Sequence, residues 1–402
     1  MAHNIVKIET TPYQDQEPGT SGLRKKVTRF QEKNYTENFV QSILSAMGAE
    51  AVKGSVLVVG GDGRYYMKDA ILLIIQICAG NGVSKLIIGQ NGILSTPAVS
   101  NLIRRKKADG GIILTASHNP GGPDKDFGIK FNTRNGGPAP QSVTEEIKNQ
   151  SLNIKQFLTC PTINCSIETV GEYKYLVCNW LQVLALLFYR YLIEIPSSPY
   201  HVASKERLLI VAKKHNMNFY EVPTGWKFFG NLMDAGQLSL CGEESFGTGS
   251  DHIREKDGIW AALAWLQVIA CEKKGVQCLV SRHWEKYGRN FFTRYDYEDC
   301  DAQECKKMMT KIEELITSST FVGKTYSPGN KKYTVQLGDN FSYKDPIDGS
   351  TSVKQGLRVL FEDGSRIIFR LSGTGSSGAT VRLYIDSYET EKDLIFCDAE
   401  VG

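Results

Sequence analysis

Three short apolar runs, residues 55–59, 85–88 and 111–114, alternate with two stretches of helical apolar spacing, residues 66–78 and 97–105. Strands separated by helices cannot pair as hairpins. Each crossover returns the chain, right-handed, to a parallel neighbour, which predicts a mainly parallel sheet covered by helices on both faces. In such sheets the loops at the carboxyl ends of the strands gather ligands. Two loops fall there: Gly60-Gly61-Asp62-Gly63-Arg64, and Thr115-Ala116-Ser117-His118-Asn119-Pro120-Gly121-Gly122. They are expected to lie near each other. Upstream, Val6-Lys7-Ile8-Glu9 alternates as a half-buried strand and residues 38–47 carry helical spacing.

At 402 residues the chain exceeds one ordinary core and should divide into two to four domains. Lys+Arg 47 against Asp+Glu 44 gives a net charge of +3, too small a field for nucleic acid or an anionic membrane, and Arg104-Arg105-Lys106-Lys107 reads as a solvated helix end. The ten cysteines contain no Cys-x-x-Cys pair, which fits reduced thiols better than a disulfide frame or a zinc site. Residues 1–19 hold no apolar signal core, so a cytoplasmic protein is expected.

The texture changes at residues 169–204. Residues 175–193 are apolar almost all round, but Asn179, Gln182 and Arg190 interrupt them. That argues for a buried or misassigned helix over a bilayer crossing. Arg207-Leu208-Leu209-Ile210-Val211-Ala212 opens a new α/β segment, residues 260–270 form an apolar helix, and residues 366–370 and 381–385 read as paired strands.

The residues that carry chemistry start at Ser117. The octet lacks a Gly-x-Ser-x-Gly elbow, and in extended backbone the Ser117 and His118 side chains point apart, so an acyl hydrolase is disfavoured. A serine alcohol can instead carry phosphate, dividing one phosphoryl shift into two transfers; the alternative is a structural glycine-rich loop. Gly60-Gly61-Asp62-Gly63-Arg64 lacks the third glycine of a dinucleotide loop, since Tyr66 stands there.

The octet resembles the active-serine loop of the α-D-phosphohexomutases. With Asp126-Phe127-Gly128-Ile129-Lys130-Phe131-Asn132 behind it, the stretch is similar to the eukaryotic, glucose-specific phosphoglucomutase branch. Gly19-Thr20-Ser21-Gly22-Leu23-Arg24, Cys241-Gly242-Glu243-Glu244-Ser245-Phe246-Gly247, and the run from Arg370 through Arg382 resemble further signatures of that family. The alternatives for these three are a flexible turn, a capped helix start and a Gly/Ser hairpin.

The resemblance implies an α/β multidomain fold of mixed, mainly parallel sheets with helices on both faces, and a smaller α+β C-terminal domain. It implies a phosphoserine-loop domain at 1–168, an atypical apolar segment at 169–204 in place of the metal-loop domain, a partial sugar-binding domain at 205–290, and a truncated phosphate-binding domain at 291–402 that hinges. The implied activity is interconversion of glucose 1-phosphate and glucose 6-phosphate, with glucose 1,6-bisphosphate as intermediate and activator. Ser117 would carry phosphate, His118 and Lys130 would handle protons and charge, and Arg24 would steady the phosphoserine. Thr224, Gly225, Glu243, Ser245 and Lys256 would bind sugar and phosphate, and Arg370, Ser372, Gly373, Thr374, Ser376 and Arg382 would clamp the distal phosphate.

The family's Mg²⁺ loop, Asp-Gly-Asp-Gly-Asp-Arg, has no counterpart in this chain. Only Ser117, through its phosphate, remains as a metal contact, a loss expected to slow turnover by roughly a thousandfold or more. Asp296, Glu298, Asp299 and Asp301 read as solvated surface. Sugar phosphates are the expected partners, with no nucleic acid, no membrane and a monomeric state. A catalytically inactive binding or structural protein, or a truncated isoform, is the alternative. A missing layer and a missing terminal helix should uncover apolar faces and lower stability.

Overall fold

The computed structural model describes residues 3–19, 21–178, 182–189, 202–203, 207–223, 225–243, 247–328, 331–372 and 379–397. Two compact units divide the chain. The first is Met1–Ser198 with Gly225–Asp234 and Ser250–Lys256; the second is Pro199–Thr224, Ala235–Gly249 and Asp257–Gly402.

The first unit runs β1 (His3–Asn4), β2 (Val6–Glu9), β3 (Leu23–Lys26), α1 (Val27–Phe30), α2 (Tyr35–Met47), α3 (Ala49–Val52), β4 (Val56–Gly61), α4 (Met67–Asn81), β5 (Lys85–Ile93), α5 (Thr96–Lys106), β6 (Gly110–Leu114), β7 (Asp126–Thr133), α6 (Gln141–Asn153), β8 (Gln156–Thr159), β9 (Glu172–Cys178) and β10 (Gln182–Tyr189). Eight strands form one sheet in the order β1-β9-β10-β5-β4-β6-β7-β3. The run β10, β5, β4, β6 is parallel, as the alternation of strand and helix requires, and β7 and β3 close the far edge antiparallel.

Successive strand residues point to opposite faces, and the core divides accordingly. Leu57, Val59, Leu86, Ile88, Ile112 and Leu114 pack with residues of α2 and α4, whereas Val58, Ile87 and Ile113 pack with Ala98, Val99, Leu102 and Ile103 of α5. The α5 helix starts as its sequence dictates: Ser95 caps it by accepting the Ala98 N–H, and Pro97 sits in the first turn.

The described residues of 172–189 form strands, not the helix expected for 175–193. β9 and β10 pair antiparallel, and β10 lies parallel beside β5. An apolar run flanked by a strand on each side satisfies its backbone in the sheet, and periodicity alone does not separate that state from a buried helix. β9 itself alternates, with Glu172 and Lys174 outward and Tyr173, Tyr175 and Val177 packed inward.

The second unit contributes β11 (Val202–Ala203), α7 (Arg207–Lys214) and β12 (Phe219–Tyr220); α8 (Trp226–Asp234), which follows in the chain, belongs to the first unit. Then come β13 (Leu240–Gly242), β14 (Thr248–Ser250), α9 (Gly258–Glu272), α10 (Val276–Tyr287), β15 (Arg289–Cys300), α11 (Ala302–Ile316), β16 (Thr325–Tyr326), β17 (Tyr333–Asn340), β18 (Tyr343–Lys344), β19 (Thr351–Ser352), β20 (Leu357–Phe361), β21 (Arg366–Ser372) and β22 (Ala379–Glu389). A six-stranded sheet, β15-β22-β21-β20-β17-β16, packs Val335, Leu357, Val359 and Phe361 against Met309, Ile312 and Ile316 of α11. The apolar helix expected at 260–270 is α9. None of its side chains is buried, and Ile259 and Leu266 are 59% and 61% exposed.

Candidate active site

β6 ends at Leu114 and the chain turns outward. Ala116 is buried beneath the turn, while Ser117 and His118 are exposed above it. Ser117 sits at φ 58°, in the left-handed region that non-glycine residues enter only under constraint. The constraint is visible. Thr115 Oγ1 accepts the Ser117 N–H at 2.9 Å and donates to Asp62 Oδ2 at 2.6 Å.

Asp62 follows β4, the strand beside β6, so the two loops meet as expected. Arg64 completes the brace. Its Nε and Nη2 donate to Asp62, its Nη1 donates to the Asp126 carbonyl at 2.6 Å, and its Nη2 donates to the Ser117 carbonyl at 3.3 Å. Asn119 ties the outgoing arm to the Asp126 carboxylate at 2.7 Å.

Two glycines let the strands approach closely under this loop. A Cβ on Gly61 would stand 2.1 Å from the Leu114 carbonyl oxygen, and one on Gly128 would stand 2.3 Å from that of Thr115. Arg24 of β3 is the cross-strand partner of Gly128, which brings it beside Arg64 and Asp126. Burial first, and the Arg64 charge second, pull the Arg24 guanidinium below its ordinary value, with Asp126 opposing. Burial alone would raise the Asp62 carboxyl, but the bonds from Arg64 and Thr115 outweigh it and hold the group below its usual range.

The expectation that Ser117 and His118 point apart is corrected. Ser117 Oγ lies 3.4 Å from His118 Nδ1, because opposite sidedness holds only for extended backbone and Ser117 is left-handed. That separation is long for a hydrogen bond and short enough to tighten on binding.

Lys130 of β7 pairs with Glu255, and Asn132 donates to the same Glu255 oxygen at 2.9 Å. The Lys130 and Glu255 side chains are 11% and 3% exposed. Arg254 secures the segment: its N–H donates to Ser100 Oγ at 3.1 Å and its Nε to Asp234 at 2.7 Å. Lys256, next in the chain, is exposed. Lys130 thus serves first as a buried tether for this segment.

Gly225, at φ 135°, precedes α8; Thr224 lies outside the described residues. Glu243 is half-buried, and its N–H donates to the Gly247 carbonyl at 2.7 Å; Ser245 lies outside the described residues. Arg370 and Arg382 face each other across β21 and β22. Like charges opposed in this way disfavour the pair unless an anion or carboxylate intervenes. Asp296 of β15 supplies one, 3.5 Å from Arg382 and 3.0 Å from Arg294; it is exposed, as expected, and also serves as an ion-pair partner. Asp301 likewise caps α11. Ser372 ends β21, its side chain outside the described residues, as are Gly373, Thr374 and Ser376.

Sequence reasoning missed Asp62, Thr115 and Arg64 as site residues. The signal was present: an Asp-x-Arg at the carboxyl end of the strand adjacent to the serine strand.

The family models for phosphoglucomutase/phosphomannomutase α/β/α domain I and domain III match residues 15–157 and 182–287, and that for the phosphoglucomutase-1 C-terminal domain matches 289–400. The chain belongs to the phosphoglucomutase/phosphomannomutase family of phosphosugar mutases. It is 44% identical to phosphoglucomutase-1 of Bos taurus and 43% identical to that of Homo sapiens, each alignment covering 99% of this chain and 94% of the relative. The open form of the Paramecium phosphoglucomutase parafusin superposes with a TM-score of 0.82 at 32% identity, covering 100% of this chain and 95% of that one. The Bos taurus alignment spans 531 columns against 402 residues here. Residues 158–181 alone separate the matches to domains I and III, too few for a domain of about 50 residues or more.

Proposed function

We propose that the chain interconverts glucose 1-phosphate and glucose 6-phosphate through phosphoserine at Ser117 and bound glucose 1,6-bisphosphate. The observation that carries this reading is the exposed Ser117 hydroxyl, presented beyond a parallel strand on a loop braced by Thr115, Asp62 and Arg64. In the phosphorylated enzyme, a free sugar hydroxyl oxygen bonds to phosphorus as the Oγ–P bond breaks, giving the bisphosphate. The return transfer forms a new Oγ–P bond and breaks the bond to the other sugar oxygen. The proton lost by the attacking sugar hydroxyl ends on Ser117 Oγ and in the return transfer passes to the departing sugar oxygen, and His118 Nδ1 is near enough to relay it both ways. Arg24 and Arg64 offset the phosphoryl charge with permanently charged forks.

Glu243 and Ser245 read sugar hydroxyls in this scheme, and Thr224, Gly225 and Lys256 contact sugar and phosphate. Arg370, Ser372, Gly373, Thr374, Ser376 and Arg382 hold the non-reacting phosphate, a role supported by the facing arginines. In this reading the chain acts on sugar phosphates as a cytoplasmic monomer. No described helix is long and apolar enough to cross a membrane.

Membership of the family implies Mg²⁺ dependence, the metal supplying charge neutralisation during transfer. The groups around Ser117 do not fit a dication. Asp62 is taken up by Arg64 and Thr115, Asp126 accepts from Asn119, and two guanidiniums stand beside them. Among the described residues no three His, Cys, Asp or Glu side chains converge as a metal site. That donor set favours, as a second reading, a relative that binds hexose phosphates without turning them over. Conversion of glucose 1-phosphate with trace bisphosphate, abolished by Ser117→Ala, supports the enzyme. Retained binding with no conversion selects the second reading.

A further inference from the structure

Beside Ser117 the charge balance is the reverse of a divalent-cation site. Arg24 and Arg64 lie close enough for each charge to work against the other, and burial already disfavours the charged form of Arg24. Arg64 is held in place by Asp62, by the Asp126 carbonyl and by the Ser117 carbonyl, with its side chain only 7% exposed. Arg24 is not so saturated. Its Nε is buried and, among the described residues, meets no hydrogen-bond acceptor. A buried charged donor left unmatched is costly, a cost that an anion brought against the guanidinium would offset. Both nearby carboxylates are already engaged, so a dication arriving here would displace existing partners and meet two fixed positive charges.

We propose that the Ser117 loop is a cation-independent phosphate site, in which Arg24 and Arg64 supply the positive charge that relatives with a metal loop draw from a divalent ion. This rests on the hexose phosphate reading above and narrows it. The phosphate that sits against Ser117, one end of the sugar bisphosphate or a free inorganic phosphate, is taken up by the Arg24 fork with the fixed Arg64 charge beside it, and Mg²⁺ adds nothing to the affinity.

Calorimetric titration of the full chain with glucose 1,6-bisphosphate, and separately with inorganic phosphate, in EDTA and then in excess Mg²⁺ tests it. Equal affinity in the two buffers is expected, together with a tenfold to hundredfold loss in Arg24→Gln and a smaller loss in Arg24→Lys, which keeps the charge but not the fork. Because Arg24 packs in the sheet, each variant is first matched to the parent by circular dichroism, and the comparison of buffers on the parent protein needs no variant. Uptake only with Mg²⁺ overturns this proposal and leaves the hexose phosphate reading intact. Affinity unchanged in folded Arg24→Gln also overturns it. No uptake in either buffer overturns both.

Discussion

The Thr115 hydroxyl donates to the Asp62 carboxylate at 2.6 Å while accepting the Ser117 amide, so a residue after one strand fixes the backbone of the serine after the next. The left-handed Ser117 conformation, which costs on the order of 1–3 kcal/mol, is thereby held from outside the serine loop.

Thr115→Val and Asp62→Ala each remove this brace while leaving Ser117 and His118 in place. A hydrogen bond to a charged group contributes about 1.5–3 kcal/mol, so kcat/KM for glucose 1-phosphate should fall roughly tenfold to a hundredfold in either variant. The double variant should lose little more than the worse single one, because both break one relay. Additive losses in steady-state kinetics would show that the two residues act separately.

The pH response follows from Asp62. Its carboxyl is depressed in the folded chain, so the stability it contributes is complete above the unfolded value of about 3.9 and is lost as pH falls through the lower folded value. Urea unfolding should therefore show a constant gap between the parent and Asp62→Asn from pH 7 to about pH 5, narrowing below about pH 4. A gap that closes near neutrality would point to a different titrating group.

Lys130 and Glu255 form a buried pair between residues far apart in sequence. Glu255→Gln strands the ammonium and should destabilise the fold by about 3–5 kcal/mol, whereas Lys130→Met with Glu255→Gln should recover part of that loss. Chemical denaturation midpoints decide it. Equal losses in Glu255→Gln and in the double variant would mean that the stranded ammonium carries no penalty of its own.

In the proposed clamp, Asp296, 3.5 Å from Arg382, would compete with an incoming phosphate for that guanidinium. Arg382→Ala should raise KM for glucose 1-phosphate about tenfold or more, while Asp296→Asn should lower it, since it frees the guanidinium. An increase in KM for Asp296→Asn would show that the carboxylate positions Arg382 instead of blocking it.

Helix α9 leaves Ile259 and Leu266 more than half exposed, an apolar surface open to association. Ile259→Glu with Leu266→Lys should reduce light scattering of the purified chain while changing unfolding free energy by no more than about 0.5 kcal/mol per site. Unchanged scattering would place the aggregation-prone surface elsewhere.

Much of this molecule is legible in its residues. The alternation of strand and helix from 55 to 114 dictates a parallel sheet, and the Ser117 octet must lie in a loop because Asn119-Pro120-Gly121-Gly122 continues neither helix nor strand. The Arg370 and Arg382 strands announce themselves by short-range pattern, and they pair in register.

Other features belong to the tertiary structure. β10 is apolar whichever way it folds, and only the open edge of β5 makes it a strand. The approach of Ser117 Oγ to His118 Nδ1 depends on the sign of one backbone angle, set by Asp62 more than fifty residues away. Pairing of Lys130 with Glu255 spans 125 positions. Local pattern determined where strands, helices and the serine loop fall, because burial and turn chemistry act over a few residues. Which charges meet was decided by the folded chain, because an ion pair is set by distance in space and not by separation along the sequence.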